Sequence, residues 1–153
     1  MKASSYPDRA HCLRVKTECT ASRLRRATRT TGRIYDQALA PSGLRETQFS
    51  VLIGLSLAGK VPLLRLAEEL GLDRTTLTRN LGPLERDGLV SSSPGKDQRV
   101  RLLQLTDAGR RALQRAYPLW EEAQRKVVDA LGQRRWRELL NGLDATSQLR
   151  ERS

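Results

Sequence analysis

The stretch that most constrains this chain is LDRTTLTRNLGPLERDGLVSSSPGKDQRVRLLQLT, residues 72–106. Its first half has a helical period. Leu77, Leu81 and Leu84 fall within about 60° of one another at ~100° per residue. Asp73 has the short acceptor side chain that a helix N-cap needs, and Gly88 ends the pattern. The opposite side carries Thr75, Arg79, Gly82 and Arg86, with Thr76 and Pro83 beside them and Arg74, Thr78 and Asn80 on the borders. After Gly88, LVSSS and VRLLQLT are short and rich enough in strand formers to be β-strands, and PGKDQ between them has hairpin chemistry.

Just upstream, LLRLAEEL (63–70) predicts a short helix with Leu63, Leu66, Ala67 and Leu70 inward and Gly71 in the C′ position. Two helices joined by GLD, the first carrying a small Ala67 for close approach, form a helix-turn-helix, and the following hairpin makes it winged. The arrangement suits duplex DNA. A helix fills the major groove and presents Thr75, Thr76 and Arg79 to base edges and phosphates. Arg99 at the hairpin tip reaches toward the backbone or the minor groove, where a narrow groove concentrates negative potential. A carboxylate aimed into DNA would be costly, so Asp97 is expected to pair with Arg99 and fix its direction.

The flanks read as helices. Arg9 to Leu39 predicts one helical stretch, with Leu24, Ala27, Ile34 and Ala38 in its stripe and Tyr35 as a core phenol. APSGL (40–44) stops it. A second helix begins near Glu46 with Phe49, Leu52, Ile53 and Leu57 on one face, and AGKVP ends it. Thr106 is the expected N-cap of a long helix in which Leu113, Trp120 and Val127 recur every seven residues, with Ala116 and Ala123 between them. That stripe reads as packing, part of it dimer core, rather than as a ligand box. Pro118 is expected to kink this helix without ending it. Gly132 breaks it, and Trp136, Leu139, Leu140 and Leu143 mark a last helix.

Lys and Arg outnumber Asp and Glu by 28 to 17, a net charge of +11, which points to a polyanionic partner. Nucleic acid and an anionic membrane surface are the two candidates, and the membrane is not the expected one: no run approaches the ~18 apolar residues of a spanning helix. MKASSYPDRAHC has no apolar leader, so the cytoplasm is the expected compartment. Two cysteines, Cys12 and Cys19, are too few for a disulfide scaffold. On one continuous helix they would share a face with Lys16, Arg23, Arg26 and Arg33. Nearby cations favour a thiolate, which makes Cys19, alone or with Cys12, a redox candidate. The same spacing also describes two inert thiols. With a single histidine, His11, and no tight C-x-x-C pair, no metal site is expected, and no cofactor. No phosphate-binding glycine loop, nucleophile elbow or paired acid set supports catalysis, so the chain is not expected to be an enzyme.

Four segments, GLRETQFSVL (43–52), LAEELGLDRTTLTRNLGPLERDGLV (66–90), KDQR (96–99) and LTDAG (105–109), occur in an order and spacing that resembles the MarR family of bacterial transcription regulators. The resemblance covers residues 19–145. It implies an obligate dimer built by the N- and C-terminal helices, a pseudo-palindromic DNA operator and, usually, repression. It places the recognition helix at Arg74–Asp87 and the wing's D-x-R at Asp97 and Arg99. It further implies release from DNA when a small phenolic or lipophilic effector enters the cleft between the dimer helices and the DNA-binding lobes, or, in some members, when a cysteine is oxidised. The chain departs from the family in its long N-terminal extension and its two early cysteines.

The expected architecture is mainly α with a small β-hairpin wing: a flexible N-terminus (1–8), an N-terminal dimerisation helix and loop (9–44), a winged helix-turn-helix (45–105) and C-terminal dimerisation helices (106–153). The expected DNA-contacting set is Arg74, Thr75, Thr76, Thr78, Arg79, Asn80, Asp97 and Arg99. Two rivals remain at this stage. One is a thiol-based redox sensor of the same fold using Cys19. The other is a basic nucleic-acid-binding protein that holds phosphate without reading sequence. Arg9, Arg14, Lys16, Arg23, Arg25, Arg26, Arg29 and Arg33 would serve the second, or simply form a solvated face.

Overall fold

The computed structural model describes residues 7–151, with side chains for residues 7–149. The loose N-terminus expected at 1–8 lies, for residues 1–6, outside the described residues. The chain divides into two compact units, Met1–Ile34 and Tyr35–Ser153.

The first unit does not hold the single helix that periodicity predicts. It holds α1 (Arg9–Glu18) and most of α2 (Thr20–Leu39), broken at Cys19, whose ψ of 108° is extended. The break is locally satisfied. Asp8 caps α1 by accepting from the His11 amide at 2.9 Å, and Arg23 Nε donates to the otherwise orphaned Thr17 carbonyl at 2.7 Å. No residue of α1 is buried, so packing does not enforce a straight run through Cys19.

The second unit builds on α3 (Glu46–Ala58), whose first turn is fixed by Gln48 Oε1 accepting from the Arg45 amide and Asp36 Oδ1 accepting from the Glu46 amide. Sequence periodicity puts Phe49, Leu52, Ile53 and Leu57 on one inward face. In the fold, Phe49, Val51, Leu52, Gly54 and Leu55 are buried and Leu57 is 84% exposed. The helix is apolar on nearly all sides, so its neighbours, not its period, decide which residues point in. Those neighbours are α4 (Leu63–Glu69), α5 (Arg74–Arg86), strand β3 (Arg101–Leu105) and α6 (Asp107–Leu131).

The expected hairpin is there as β2 (Val90–Pro94) and β3, antiparallel, with Val90 opposite Leu105 and Pro94 opposite Arg101. The sheet has a third strand that sequence reading took for the end of a helix. Val61–Pro62 form β1, and Val61 pairs with Leu103, giving the order β1–β3–β2. Both prolines of the sheet sit on edge strands, where a missing N–H costs no ladder bond. Leu103 and Leu105 of the central strand are buried with the leucines of α3, α4 and α5 in one core.

Thr106 caps α6 as expected. Its hydroxyl accepts from the Gly109 amide at 3.0 Å and donates to the Gly88 carbonyl at 2.7 Å, tying α6 to the end of α5. Gly109 permits that joint. A Cβ there would lie 2.2 Å from the Leu89 carbonyl oxygen and 2.6 Å from Leu105 Cδ1. Pro118 lies within a continuous α6, Gly132 ends it with φ of 78°, and α7 (Gln133–Ser147) follows with no buried residue.

Because a main-chain oxygen cannot yield as a flexible side chain would, Gly109→Ala should destabilise the fold by about 2 kcal/mol or more. Urea unfolding monitored by circular dichroism checks this. A midpoint within error of the parent would mean that the joint is loose.

Candidate nucleic-acid interface

Helix α5 is fixed by three leucines. Leu77, Leu81 and Leu84 are wholly buried, as their spacing predicts, so the opposite side must face outward. Asp73 caps it from both oxygens, one accepting from the Thr76 amide at 2.8 Å and the other from the Thr76 hydroxyl at 2.6 Å. These bonds, the hydroxyl first, hold the Asp73 carboxyl below the ordinary aspartate range. A depressed carboxyl stabilises the fold above its unfolded pKa and loses that contribution as pH falls through its own lower value.

Capping divides the threonines. The Thr76 hydroxyl hydrogen is spent on Asp73, and the Thr78 hydroxyl donates to the Arg74 carbonyl at 2.8 Å. Among the described residues Thr75 makes no such bond, and Arg74, Arg79 and Arg86 form no ion pair. The outward face therefore presents free cations and one free hydroxyl, beside an N-terminal turn whose Thr76 amide the Asp73 carboxylate already caps. Gly82 and Pro83 leave the middle of that face low. A Cβ at Gly82 would meet nothing within 4 Å. A glycine before Pro83 also removes the Cβ that would clash with the proline ring inside a helix.

The border residues separate into two groups. Arg74 and Thr78 face the wing, lining with Leu63, Leu64, Arg99 and Arg101 a cleft of about 350 Å³. Thr76 and Asn80 lie on the other border, where Asn80 Oδ1 accepts a long bond from the Thr47 hydroxyl of α3 at 3.4 Å. Asn80 is thus partly engaged within the protein.

At the wing tip, the expected ion pair between Asp97 and Arg99 is absent. Asp97 Oδ1 accepts instead from the Arg99 main-chain amide at 2.9 Å, and the Asp97 carbonyl accepts from the Val100 amide, also at 2.9 Å. At a separation of two residues the amide is the nearer donor, which makes this an Asx-type turn. Gly95 closes the loop by donating to the Val100 carbonyl at 2.8 Å. Asp97 thus shapes the turn, while the exposed Arg99 guanidinium stays unpaired among the described residues.

Sequence reasoning missed the contact that ties wing to helix. Both Glu85 oxygens accept from Arg101 Nη2, at 2.5 and 2.6 Å, with the pair partly buried. Glu85 stands on the same border of α5 as Arg74 and Thr78, and Arg101 is two residues beyond Arg99. Alternation in β3 was the available signal, since it turns Arg101 to one face of the strand.

A second feature of this unit is a cavity of about 540 Å³ between α3, the end of α4 and α6. Phe49, Ile53, Leu57, Leu70, Tyr117 and Trp120 form most of its wall, and Ser50, Gly54 and Glu69 complete it. Trp120 therefore borders an open space as well as packing. Tyr35 does not line it: its hydroxyl donates to Gln124 Oε1 at 2.5 Å. Burial first, and the Glu46 charge second, push that phenol upward.

In the first unit, Cys19 is both the last cap of α1 and the residue that opens α2. Its thiol is pulled below the ordinary range by hydrogen bonding from the Ser22 hydroxyl, then from the Ser22 amide, with smaller help from the Ala21 amide and the Arg25 charge. The helix break removes the common face proposed for Cys12, Cys19 and the downstream arginines. His11 is bonded to Asp8, and among the described residues no cluster of His, Cys, Asp and Glu could hold a metal. No described helix is long and apolar enough to cross a membrane.

Comparison with known proteins agrees with this geometry. Residues 44–100 match the MarR family model. The M. tuberculosis transcriptional regulator MosR, in a crystal structure with DNA, is 44% identical with a TM-score of 0.75, over 87% of this chain and 99% of that one. The transcriptional repressor CouR, bound to a 23-mer DNA duplex, is 29% identical with a TM-score of 0.77, over 87% of this chain and 95% of that one. The Bacillus subtilis HTH-type regulator YwoH is 34% identical over 71 residues, 46% of this chain. The match spans about half of that relative's length, 52%.

If Glu85 and Arg101 lock the wing to α5, their effects on unfolding are coupled. A double-mutant cycle of Glu85→Gln and Arg101→Gln should give a coupling of about 1 kcal/mol. Additive effects would show that the wing is held by its strands alone.

Proposed function

The chain belongs to the MarR family of DNA-binding transcription regulators, and from that premise we propose that it acts as a homodimeric repressor of a pseudo-palindromic operator. The observation that carries this reading is the cleft shared by Arg74 and Thr78 of α5 and Arg99 of the wing. It lets one helix enter a major groove while the wing tip follows the neighbouring backbone or minor groove. Arg79, with Thr75 and Thr76, would read base edges. Arg74, Thr78, Asn80 and the Asp97-shaped turn would position the lobe, and Arg99 would supply shape-dependent affinity. The DNA complexes of MosR and CouR support the docking, and the description of CouR as a repressor supports the direction of control. Such a regulator works beside the chromosome, in the cytoplasm.

Dimerisation is assigned to the N-terminal helices (9–44) and the C-terminal helices (106–153). On α7, Leu139, Leu140 and Leu143 are 37–43% exposed, an apolar row only partly covered by the described residues and suited to a second copy. Release is assigned to a small lipophilic effector in the cavity bounded by α3 and α6. Occupation there would change the separation of the two recognition helices, and two half-sites one helical turn apart tolerate little change.

A second reading of release follows from the lowered Cys19 thiol. An accessible thiol at the opening of a helix, biased toward thiolate by Ser22, is chemically suited to oxidation, alone or across a dimer.

Titration against upstream genomic fragments with random competitor tests the main reading. One retained pseudo-palindromic fragment supports it, and uniform, salt-labile binding replaces it with phosphate attraction alone. Arg79→Ala should cost about 1–3 kcal/mol on the operator and far less on random DNA, whereas Arg99→Ala should weaken both and lower the salt slope by about 1. Equal losses on both DNAs for Arg79→Ala would remove its base-reading role. For the thiol, iodoacetamide labelling of a Cys12→Ser protein should show a pH midpoint below that of free cysteine, moved upward by Ser22→Ala. A Cys19 rate equal to free cysteine at neutral pH would dispose of the redox reading.

A further inference from the structure

The effector role of the cavity leaves open what chemistry enters it, and the walls bear on that choice. We propose that the cavity takes a lipophilic cation, an amine carried on an aromatic body, rather than an aromatic acid. This rests on the reading of the cavity as the effector site and adds the ligand's charge.

The volume of about 540 Å³ fits a small organic molecule, since such sites run from about 300 to 1,000 Å³. Three rings define its floor. Phe49 and Trp120 stack with centroids 6.2 Å apart, and Tyr117 lies 5.8 Å from Trp120 at 32°. Trp120 is half-buried and Tyr117 is 48% exposed, so ring surface remains open to a guest. The negative faces of such rings attract cations.

The polar groups point the same way. Glu69 is the one charged residue among those lining the cavity. Its nearest cation is Arg65, at 4.0 Å, and that guanidinium also serves Glu68 at 3.7 Å. One arginine between two carboxylates leaves a net negative charge at the rim. Ser50 adds an acceptor, because its hydroxyl hydrogen is committed to Glu46 Oε1 at 2.9 Å. The Tyr117 phenol is a donor, but no Lys, Arg or His among the lining residues supplies a charge to neutralise a ligand carboxylate.

Three probes of one shape separate the possibilities: naphthylmethylamine, protonated at neutral pH, naphthylmethanol and naphthoate. Binding is read as quenching of Trp120 fluorescence in the full chain carrying Trp136→Phe. The amine should bind about tenfold more tightly than the alcohol, with naphthoate weakest. Glu69→Gln should bring the amine down to the alcohol's affinity. Naphthoate binding tightest, an amine preference that survives Glu69→Gln, or quenching by none of the three overturns the proposal. The same titrations with operator DNA present keep the two readings apart. A Glu69-dependent amine preference without DNA release supports the ligand class and removes the effector role. DNA release by the alcohol or naphthoate, with no cation preference, does the reverse.

Discussion

The DNA-binding unit depends on one buried helix. Helix α3 packs on α4, α5, α6 and β3, and Val51, Leu52 and Leu55 are removed almost completely from water. Burying a leucine or valine stabilises by roughly 1.5–3 kcal/mol, and these side chains bury against several elements at once. The fit is close on the α4 side. A Cβ at Gly54 would lie 3.0 Å from Leu66 Cδ1 and 3.2 Å from Leu70 Cδ2. Glycine thus lets the helix-turn-helix approach its support, at the cost of helix propensity in α3. With Leu55 and Val51 drawn inward by α5 and β3, Leu57 is left outside, and the space beside it becomes the cavity.

Where one face of an element meets one core, the sequence was readable. Leu77, Leu81 and Leu84 announced α5, Asp73 and Thr106 announced their caps, and Gly71, Gly88 and Gly132 announced the stops, because each obeys a local rule. The failures share a cause. Leu57 belongs to a helix apolar all round, so its period carried no direction. Val61–Pro62 is a two-residue strand that exists only because β3 lies beside it. The break at Cys19 follows a helix with no buried residue, where the Arg23 side chain bonding the Thr17 carbonyl satisfies the backbone. Of the expected DNA-contacting set, every residue lies on the expected helix or hairpin. The sequence did not show which hydroxyls are already spent, or that Asp97 bonds an amide. Those are contacts of second neighbours and of neighbours across a turn, invisible to periodicity.

The arginines divide by partner. Arg101 is committed to Glu85 and holds the turn end of the wing's ladder against α5, whereas Arg99, two residues earlier, keeps a guanidinium unpaired among the described residues. Residues two apart share a strand face, so the division comes from the turn: Arg101 opens β3, whereas Arg99 lies in the Asp97-shaped turn before it. A free guanidinium at the tip pays less to exchange water for phosphate than one that must first leave a carboxylate. By bonding main chain, Asp97 orders the turn without neutralising the charge that the turn presents.

The same α3 that carries α5 also forms the cavity's wall through Phe49, Ile53 and Leu57. A close-packed helix passes displacement on instead of absorbing it, since core side chains have few alternative packings. On one side of α3 is the cavity, and on the other are the leucines that hold α5. Thr47, the second residue of α3, reaches Asn80 on α5, a polar contact between the two helices as well as an apolar one. A guest that binds one spacing of these helices better than another shifts the population toward that spacing by the difference in its two affinities, and by no more. Under the proposed effector reading, control of DNA binding would require no path through the molecule beyond a single shared helix.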